Sequence, residues 1–307
     1  MDTLIKILAQ YDISETEPRE LVRESGDNQV YIIGANDKKV LRLCKRLPIE
    51  DVRFEYEALQ HLFKNGCPVP EWIKTNNGNF YASSEEIEVA VMFDFLEGYH
   101  VKIDKDHLPT KKQAYTAGNT LGKIAKIGQT FKPSSSRHRD IFIELERVLQ
   151  NKEIFKKDFK GGEIFVDQIK ESILLAQKQN TPEGLIHNDY HAGNVFFKTD
   201  TKVNGVIDFD WSCIGPSIKD LAFGIVEWSF PDGAKEPDFE IFDSFLEGYN
   251  VITKGGITKG EELYSWIMFS TLSATATFFC DRLKNPEQKK EISYSHMYNK
   301  YLFFSNL

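Results

Sequence analysis

Three oxygen-bearing side chains stand at spacings that suit phosphoryl transfer. Asp189 is followed five residues later by Asn194, and fourteen residues beyond that comes the Asp208 of Val206-Ile207-Asp208. In such a reaction the moving group spreads its charge over several oxygens, so a protein contributes positioning, cations and a proton acceptor rather than covalent chemistry. Asp189 is the expected acceptor of a substrate hydroxyl proton. Asn194, through its amide oxygen, and Asp208 are the expected ligands of Mg²⁺, with ATP as donor, because hard oxygen donors suit a hard cation. The set His187-x-Asp189-x-His191 offers a rival reading, the transition-metal site of a hydrolase. That reading leaves Asn194 and Ile207-Asp208-Phe209 without a role, and His191 is placed instead near the substrate hydroxyl.

The pattern His187-x-Asp189-x-x-x-x-Asn194 followed by Ile207-Asp208-Phe209 resembles the aminoglycoside phosphotransferase and choline kinase family, small-molecule relatives of the protein kinases. Asp210 stands where protein kinases carry the glycine of Asp-Phe-Gly, which is similar to the small-molecule branch. Gly215-Pro216, Asp220-Leu221-Ala222, Trp228 and Gly248-Tyr249 resemble the homoserine-kinase-like branch of that family. The resemblance implies that His187 packs beneath the catalytic loop and that Asp220 anchors it. It also implies an α+β, protein-kinase-like two-lobe fold, with a nucleotide-binding lobe over residues 1–97 and a mostly helical lobe over 98–307. The alternatives are a protein Ser/Thr kinase and a catalytically inert nucleotide-binding module. The stretch from Asp208 to Asp220 is too short for an activation segment, and Asp189, Asn194 and Asp208 are all in place.

The first hundred residues read as a small antiparallel sheet with one helix. Arg19 to Ser25, Gln29 to Ile33 and Lys38 to Leu43 are predicted strands, separated by the turn sequences Gly26-Asp27-Asn28 and Gly34-Ala35-Asn36-Asp37. Phe54, Ala58, Leu59, Leu62 and Phe63 recur at helical spacing from Ile49 to Asn65. Strands are expected at Phe80 to Ser83 and Glu88 to Phe93. Beyond Gly98, helices are predicted at Thr110 to Lys126, Ile164 to Gln179, Phe239 to Tyr249, Glu261 to Leu283 and Gln288 to Phe304. Lys132 to Arg139 and Asn151 to Gly162 read as solvated connections.

Strand alternation selects the cation for the nucleotide phosphates. Within Lys39-Val40-Leu41-Arg42-Leu43, Arg42 shares a face with Val40, so a phosphate-facing Arg42 places Val40 over the adenine; Lys45 or Arg46 takes the role if the register differs. The resemblance implies that Glu55 in the following helix is the acid partner of Arg42, with Glu57 as runner-up. Ser25 to Asn28 is the expected nucleotide loop. The backbone of Asp94-Phe95-Leu96 is expected to hold adenine, with Met92 as the deep residue beneath it. The acceptor pocket is expected to draw on His191, Asp210, Trp211, Glu227, Trp228 and Asp281.

Composition bounds the partners. The 307 residues carry a formal charge of −8 and 41% hydrophobic content, enough for a large core but unsuited to a nucleic-acid partner, whose phosphates reward a basic face. Acidic groups near a pocket favour an amine-bearing acceptor: an amino alcohol, an amino acid such as homoserine, an amino sugar or an aminoglycoside. Cys44, Cys67, Cys213 and Cys280 are scattered, so reduced thiols are expected. With no basic start before an apolar run and no stretch of eighteen consecutive apolar residues, the expected protein is cytoplasmic, with no membrane partner. Nothing in the sequence indicates an oligomeric state.

Overall fold

The computed structural model describes residues 3–24, 28–45, 47–179, 181–282 and 291–307. Ser25, Gly26, Asp27 and Arg46 lie outside the described residues, as do Leu283 and the expected start of the last helix at Gln288. The chain divides into two units: Met1–Gly98 with Phe131–His138 and Asn204–Asp210, and Tyr99–Thr130 with Arg139–Val203 and Trp211–Leu307. The Pro- and Ser-rich segment read as a solvated connection thus belongs to the first unit over most of its length.

The first unit opens with α1 (Thr3–Leu8) and is built on β1 (Arg19–Glu24), β2 (Asn28–Ile33), β3 (Lys39–Cys44), α2 (Ile49–Lys64), β4 (Trp72–Ile73) and β5 (Val89–Asp94). Its sheet has the order β1-β2-β3-β5-β4, every neighbour antiparallel. Phe80 to Ser83 contributes only the isolated bridge Ala82↔Ala90, while the short β4 forms at Trp72. Register decides what each face carries, since successive side chains alternate. Leu41 lies opposite Met92, and both pack with Ile7, Leu8, Ile33, Leu43 and Ala90 in a buried cluster against α1. Arg42 lies opposite Val91, and Val40 opposite Phe93. α2 starts with Glu50 and Asp51 in its first turn and ends with His61 and Lys64, charges that complement the helix dipole.

The second unit contains α3 (Lys111–Gly128), α4 (Ile143–Gln150), α5 (Lys152–Asp158), α6 (Gly162–Lys178), β6 (Glu183–Ile186) and β7 (Val195–Thr199). β8 (Lys202–Val206) carries the chain across the division; β9 (Cys213–Pro216), α7 (Ser217–Ser229), α8 (Phe239–Thr253), α9 (Glu261–Arg282) and α10 (His296–Phe304) follow. α5 is helical where a solvated connection was expected, because Phe155 is fully buried against Phe159 and Phe165 and so anchors a short Lys-rich helix. Thr110 and Gln113 form a capping box at the start of α3. α3 crosses α8 at backbone distance. A Cβ on Gly118 would sit 2.0 Å from the Phe245 carbonyl oxygen, and one on Gly248 would sit 2.1 Å from that of Tyr115. α9 is long and apolar enough to span a bilayer by length and composition, yet its Leu263, Trp266, Ile267, Phe269, Leu272, Ala276 and Phe279 are buried inside this unit.

Candidate functional site

In the second unit the loop after β6 is held from below. β6 pairs with β9, Ile186 opposite Cys213, so the chain leaves the strand at His187 directly above α7. The Asp220 carboxylate, in the first turn of α7, accepts from the His187 and Asn188 amides at 2.8 Å each. His187 is fully buried, its Nδ1 accepts from the Asp189 amide at 3.3 Å, and the Tyr190 hydroxyl donates to the Ala117 carbonyl of α3 at 2.9 Å. Asn188 takes the left-handed conformation, φ 66°, which turns the backbone so that Asp189 departs from its neighbours' direction.

Asp189 and Asn194 meet. The Asn194 amide nitrogen donates to the Asp189 carbonyl at 3.0 Å and to its Oδ2 at 3.2 Å. The turn that returns Asn194 is capped by His191, whose Nδ1 accepts from the Gly193 amide, while its Nε2 lies 3.6 Å from Asp189 Oδ2. Burial pushes the Asp189 carboxyl upward, but His191, His187 and Asn194 outweigh it and hold the group below its ordinary value. It is therefore ionised at neutral pH, the form that accepts a proton.

A cavity of about 130 Å³ opens beside Asp189, walled by α4, α7 and α9 through residues that include Asp140, Lys219, Phe223, Ser270, Ser273 and Thr277. Trp211 also lines it, with the Arg139 guanidinium stacked 3.6 Å from its ring centroid. The other expected pocket residues are elsewhere. Trp228 is fully buried between Phe197 and Phe245, and Glu227 pairs with Lys300 at 3.2 Å; neither lines the cavity. Asp281 is exposed at the end of α9, and Asp210 belongs to the first unit. His191 adjoins Asp189 without lining the cavity. Asn188 and Lys219 escaped the sequence reading. Lys219 is buried, donates from Nζ to Asn188 Oδ1, and burial pulls it below its ordinary value against the raising influence of Asp220, Cys213 and Asp189.

In the first unit Arg42 and Glu55 form a buried, two-pronged pair, NH1 to Oε1 at 3.0 Å and NH2 to Oε2 at 2.5 Å. Burial opposes the Arg42 charge, and Glu55 raises its pKa well above the ordinary value. Glu57 goes elsewhere, to the Ser134 and Ser135 hydroxyls. Lys45 is exposed. Met92 does not share the Arg42 face, because one residue along a strand reverses the side; Phe93, 5.4 Å from the Arg42 guanidinium carbon, and Val91 are the residues there. The Asp94 amide donates to the Glu71 carbonyl at 3.0 Å and its carboxylate accepts from Lys39 Nζ at 2.8 Å, so its N–H is committed within the protein. Leu96 packs over Gly205.

Asp208 is the second non-glycine residue in these loops with positive φ, 67°, and its Oδ2 accepts from Arg23 at 3.3 Å. Two residues on, Asp210 is half-buried, its Oδ1 shut off from solvent and lacking any hydrogen bond, while Asn28 donates to Oδ2 at 3.5 Å. Burial and the Asp208 carboxylate push Asp210 up to about 8 against the pull of Arg42. Arg137, missed in the sequence, ties this turn to α2 by donating to the carbonyls of Asp210 and Asp51. Among the described residues no group of three or more His, Cys, Asp or Glu side chains is arranged to hold a metal.

Residues 20–251 match the sequence profile of the phosphotransferase enzyme family. A homoserine kinase of Rhodopseudomonas palustris (strain BisA53) is 28% identical over 268 residues, 81% of this chain and 74% of the relative. Among solved structures, a microcompartment-associated aminopropanol kinase aligns with TM-score 0.70 at 18% identity, covering 97% of this chain and 94% of its own. An amicoumacin kinase in complex with AMP-PNP, Ca²⁺ and Ami aligns with TM-score 0.72 at 12% identity, covering 99% of this chain and 90% of its own. The structural likenesses show the fold, an α+β architecture of the protein-kinase-like kind.

Proposed function

As the chain belongs to the phosphotransferase enzyme family and is a kinase of a small-molecule hydroxyl, we propose that its donor is Mg-ATP, its acceptor a compact amine-bearing alcohol, and Asp189 its catalytic base. The observation that carries this reading is the ionised Asp189 carboxylate, fixed by Asn194 and His191 at the edge of a cavity of about 130 Å³. That volume is below the roughly 300–1,000 Å³ of pockets for drug-sized ligands. It favours an amino alcohol or amino acid over an amino sugar or a multi-ring aminoglycoside.

Mg-ATP, when bound, supplies the γ-phosphoryl group and the cation that neutralises its charge. The chain's residues do the rest. Asp189 accepts a hydrogen bond from the acceptor hydroxyl, aims its oxygen, and takes the proton as the new O–P bond forms and ADP leaves. Asn194 spends its amide nitrogen on Asp189, which turns the carboxamide oxygen outward as a metal donor. Asp208, in the left-handed backbone conformation with φ 67°, would offer a second hard oxygen. Arg42, held by Glu55, is the cation for the nucleotide phosphates, with Val40 and Phe93 on the same face for the adenine. A protein substrate has no support, because Phe209–Trp211, β9 and α7 take up the stretch after Asp208 without an activation segment. Four buried cysteines, none of them in a disulfide, accord with a reducing compartment, and we place the enzyme in the cytoplasm.

The test is a coupled assay of ADP release over amino alcohols, hydroxy amino acids, amino sugars and aminoglycosides. Turnover is expected with the first two classes, and Asp189→Ala is expected to lower kcat by about a hundredfold or more. Undiminished turnover in a folded Asp189→Ala enzyme refutes the assignment of the base.

A further inference from the structure

Lys219 is a buried cation at the cavity beside Asp189, offset through space by the Asp220 and Asp189 carboxylates. It lies in the first turn of α7, where the helix dipole disfavours a cation, and it is 3% exposed. Burying an ammonium is costly unless acceptors surround it. An ammonium has three N–H donors. One goes to Asn188 Oδ1, and the chain below is the Phe223 ring, 5.5 Å away.

The cavity beside Asp189 is lined by Lys219 together with Ser270, Ser273 and Thr277. Its two further carboxylates are engaged. Asp140 accepts from the Phe142 and Ile143 amides at 2.7 and 2.9 Å, and Glu144 pairs with Arg139 and Arg147 at 3.7 and 2.9 Å. The cation on the wall is thus the group with donors to spare, and its natural partner is an anion brought by the acceptor.

We infer that Lys219 binds a carboxylate on the acceptor, so that the substrate is a hydroxy amino acid rather than the corresponding amino alcohol. The inference rests on the reading of Asp189 as base beside this cavity. It also joins recognition to chemistry. The same Nζ is bonded to Asn188, whose Nδ2 donates to the Trp211 carbonyl at 3.2 Å and whose amide is held by Asp220, one residue before Asp189. A carboxylate on Lys219 fixes the atom that fixes the loop.

The experiment compares homoserine with 3-aminopropan-1-ol, which differs only in lacking the carboxylate, for wild type, Lys219→Met, Lys219→Arg and Asp189→Asn. Wild type is expected to favour homoserine by about tenfold or more in kcat/KM. In Lys219→Met the ratio of the two values falls toward one, chiefly through KM for homoserine, and Lys219→Arg, which keeps the charge, retains a preference. Three results overturn the inference: a Lys219→Met enzyme that loses both activities in proportion, a wild type that favours the amino alcohol, or a wild type that phosphorylates neither. If Asp189→Asn retains full turnover, the base assignment fails separately, and the Lys219 ratio still reports on carboxylate binding.

Discussion

Asp208 and Asp210 are two residues apart on one turn, yet their surroundings differ. Asp208 is partly exposed beside Arg23, whereas the half-buried Asp210 has one oxygen shut off from solvent without a hydrogen bond and its pKa raised to about 8. Like charges this close rarely ionise together without a cation. The linkage sign follows from the acid being raised in the folded state. Below the ordinary carboxylate value of 3.8 both folded and unfolded forms hold the proton, so nothing is gained or lost. Between that pH and about 8 the unfolded form has released it and the folded form has not, so stability falls as pH rises. Asp210→Asn keeps a neutral group of similar shape and removes this loss. Thermal melts in chelator should show little difference from wild type near pH 4 and a higher Tm for the variant at pH 8. Equal melting temperatures at pH 8 would mean that Asp210 is ionised in the native protein.

At the scale of elements, the loop that carries Asp189 is aimed by what lies beneath it, and α3 is central because Tyr190 bonds to its Ala117 carbonyl. α3 can serve only if it lies close against α8, and Gly118 and Gly248 permit that approach. Gly248→Ala would force a methyl to 2.1 Å from the Tyr115 oxygen, a contact that helix backbones can relieve only by separating. A loss of about 1–3 kcal/mol in chemical denaturation is expected, together with a lower kcat as the loop shifts. A variant as stable as wild type would show that the crossing is looser than its geometry indicates. Elements also explain what the sequence made legible. Asp189 and Asn194 were legible because a loop uses short, fixed spacings and Arg42 because strand alternation has one phase, whereas Asp220 and Glu55 came from the resemblance to the family. Met92 was misplaced by a single residue, enough to move it to the opposite face of β5. The cavity wall was harder to read. Its residues come from α4, α7 and α9, and helices far apart in sequence leave no local pattern that says which sides face one another. Trp228 and Glu227 were chosen by residue type, whereas α7 turns them into the aromatic core and toward Lys300.

For the whole molecule, the proposed donor makes a demand that activity measurements alone do not test. A ligand bound to the native state stabilises it by mass action, by about 2.7 kcal/mol when its concentration is a hundred times Kd. For a chain of 307 residues that corresponds to a rise of several degrees in midpoint. The proposed contacts divide by unit, Arg42 and Asp208 in the first and Asn194 in the second, so unfolding followed by both fluorescence and circular dichroism can register each. Wild type should melt higher with ATP and Mg²⁺ than with ATP and chelator, because two hard oxygen donors act only through the cation. Asp208→Ala removes one of them, and its midpoint with ATP should rise equally in the presence and absence of Mg²⁺. Asp220→Ala supplies the control, since it leaves the His187 and Asn188 amides without partners and lowers stability by about 1–3 kcal/mol while the Mg²⁺-dependent rise persists. If wild type responds to ATP identically with and without Mg²⁺, Asp208 and Asn194 hold no metal, and the proposed assembly of the nucleotide site is wrong even if the enzyme still transfers phosphate.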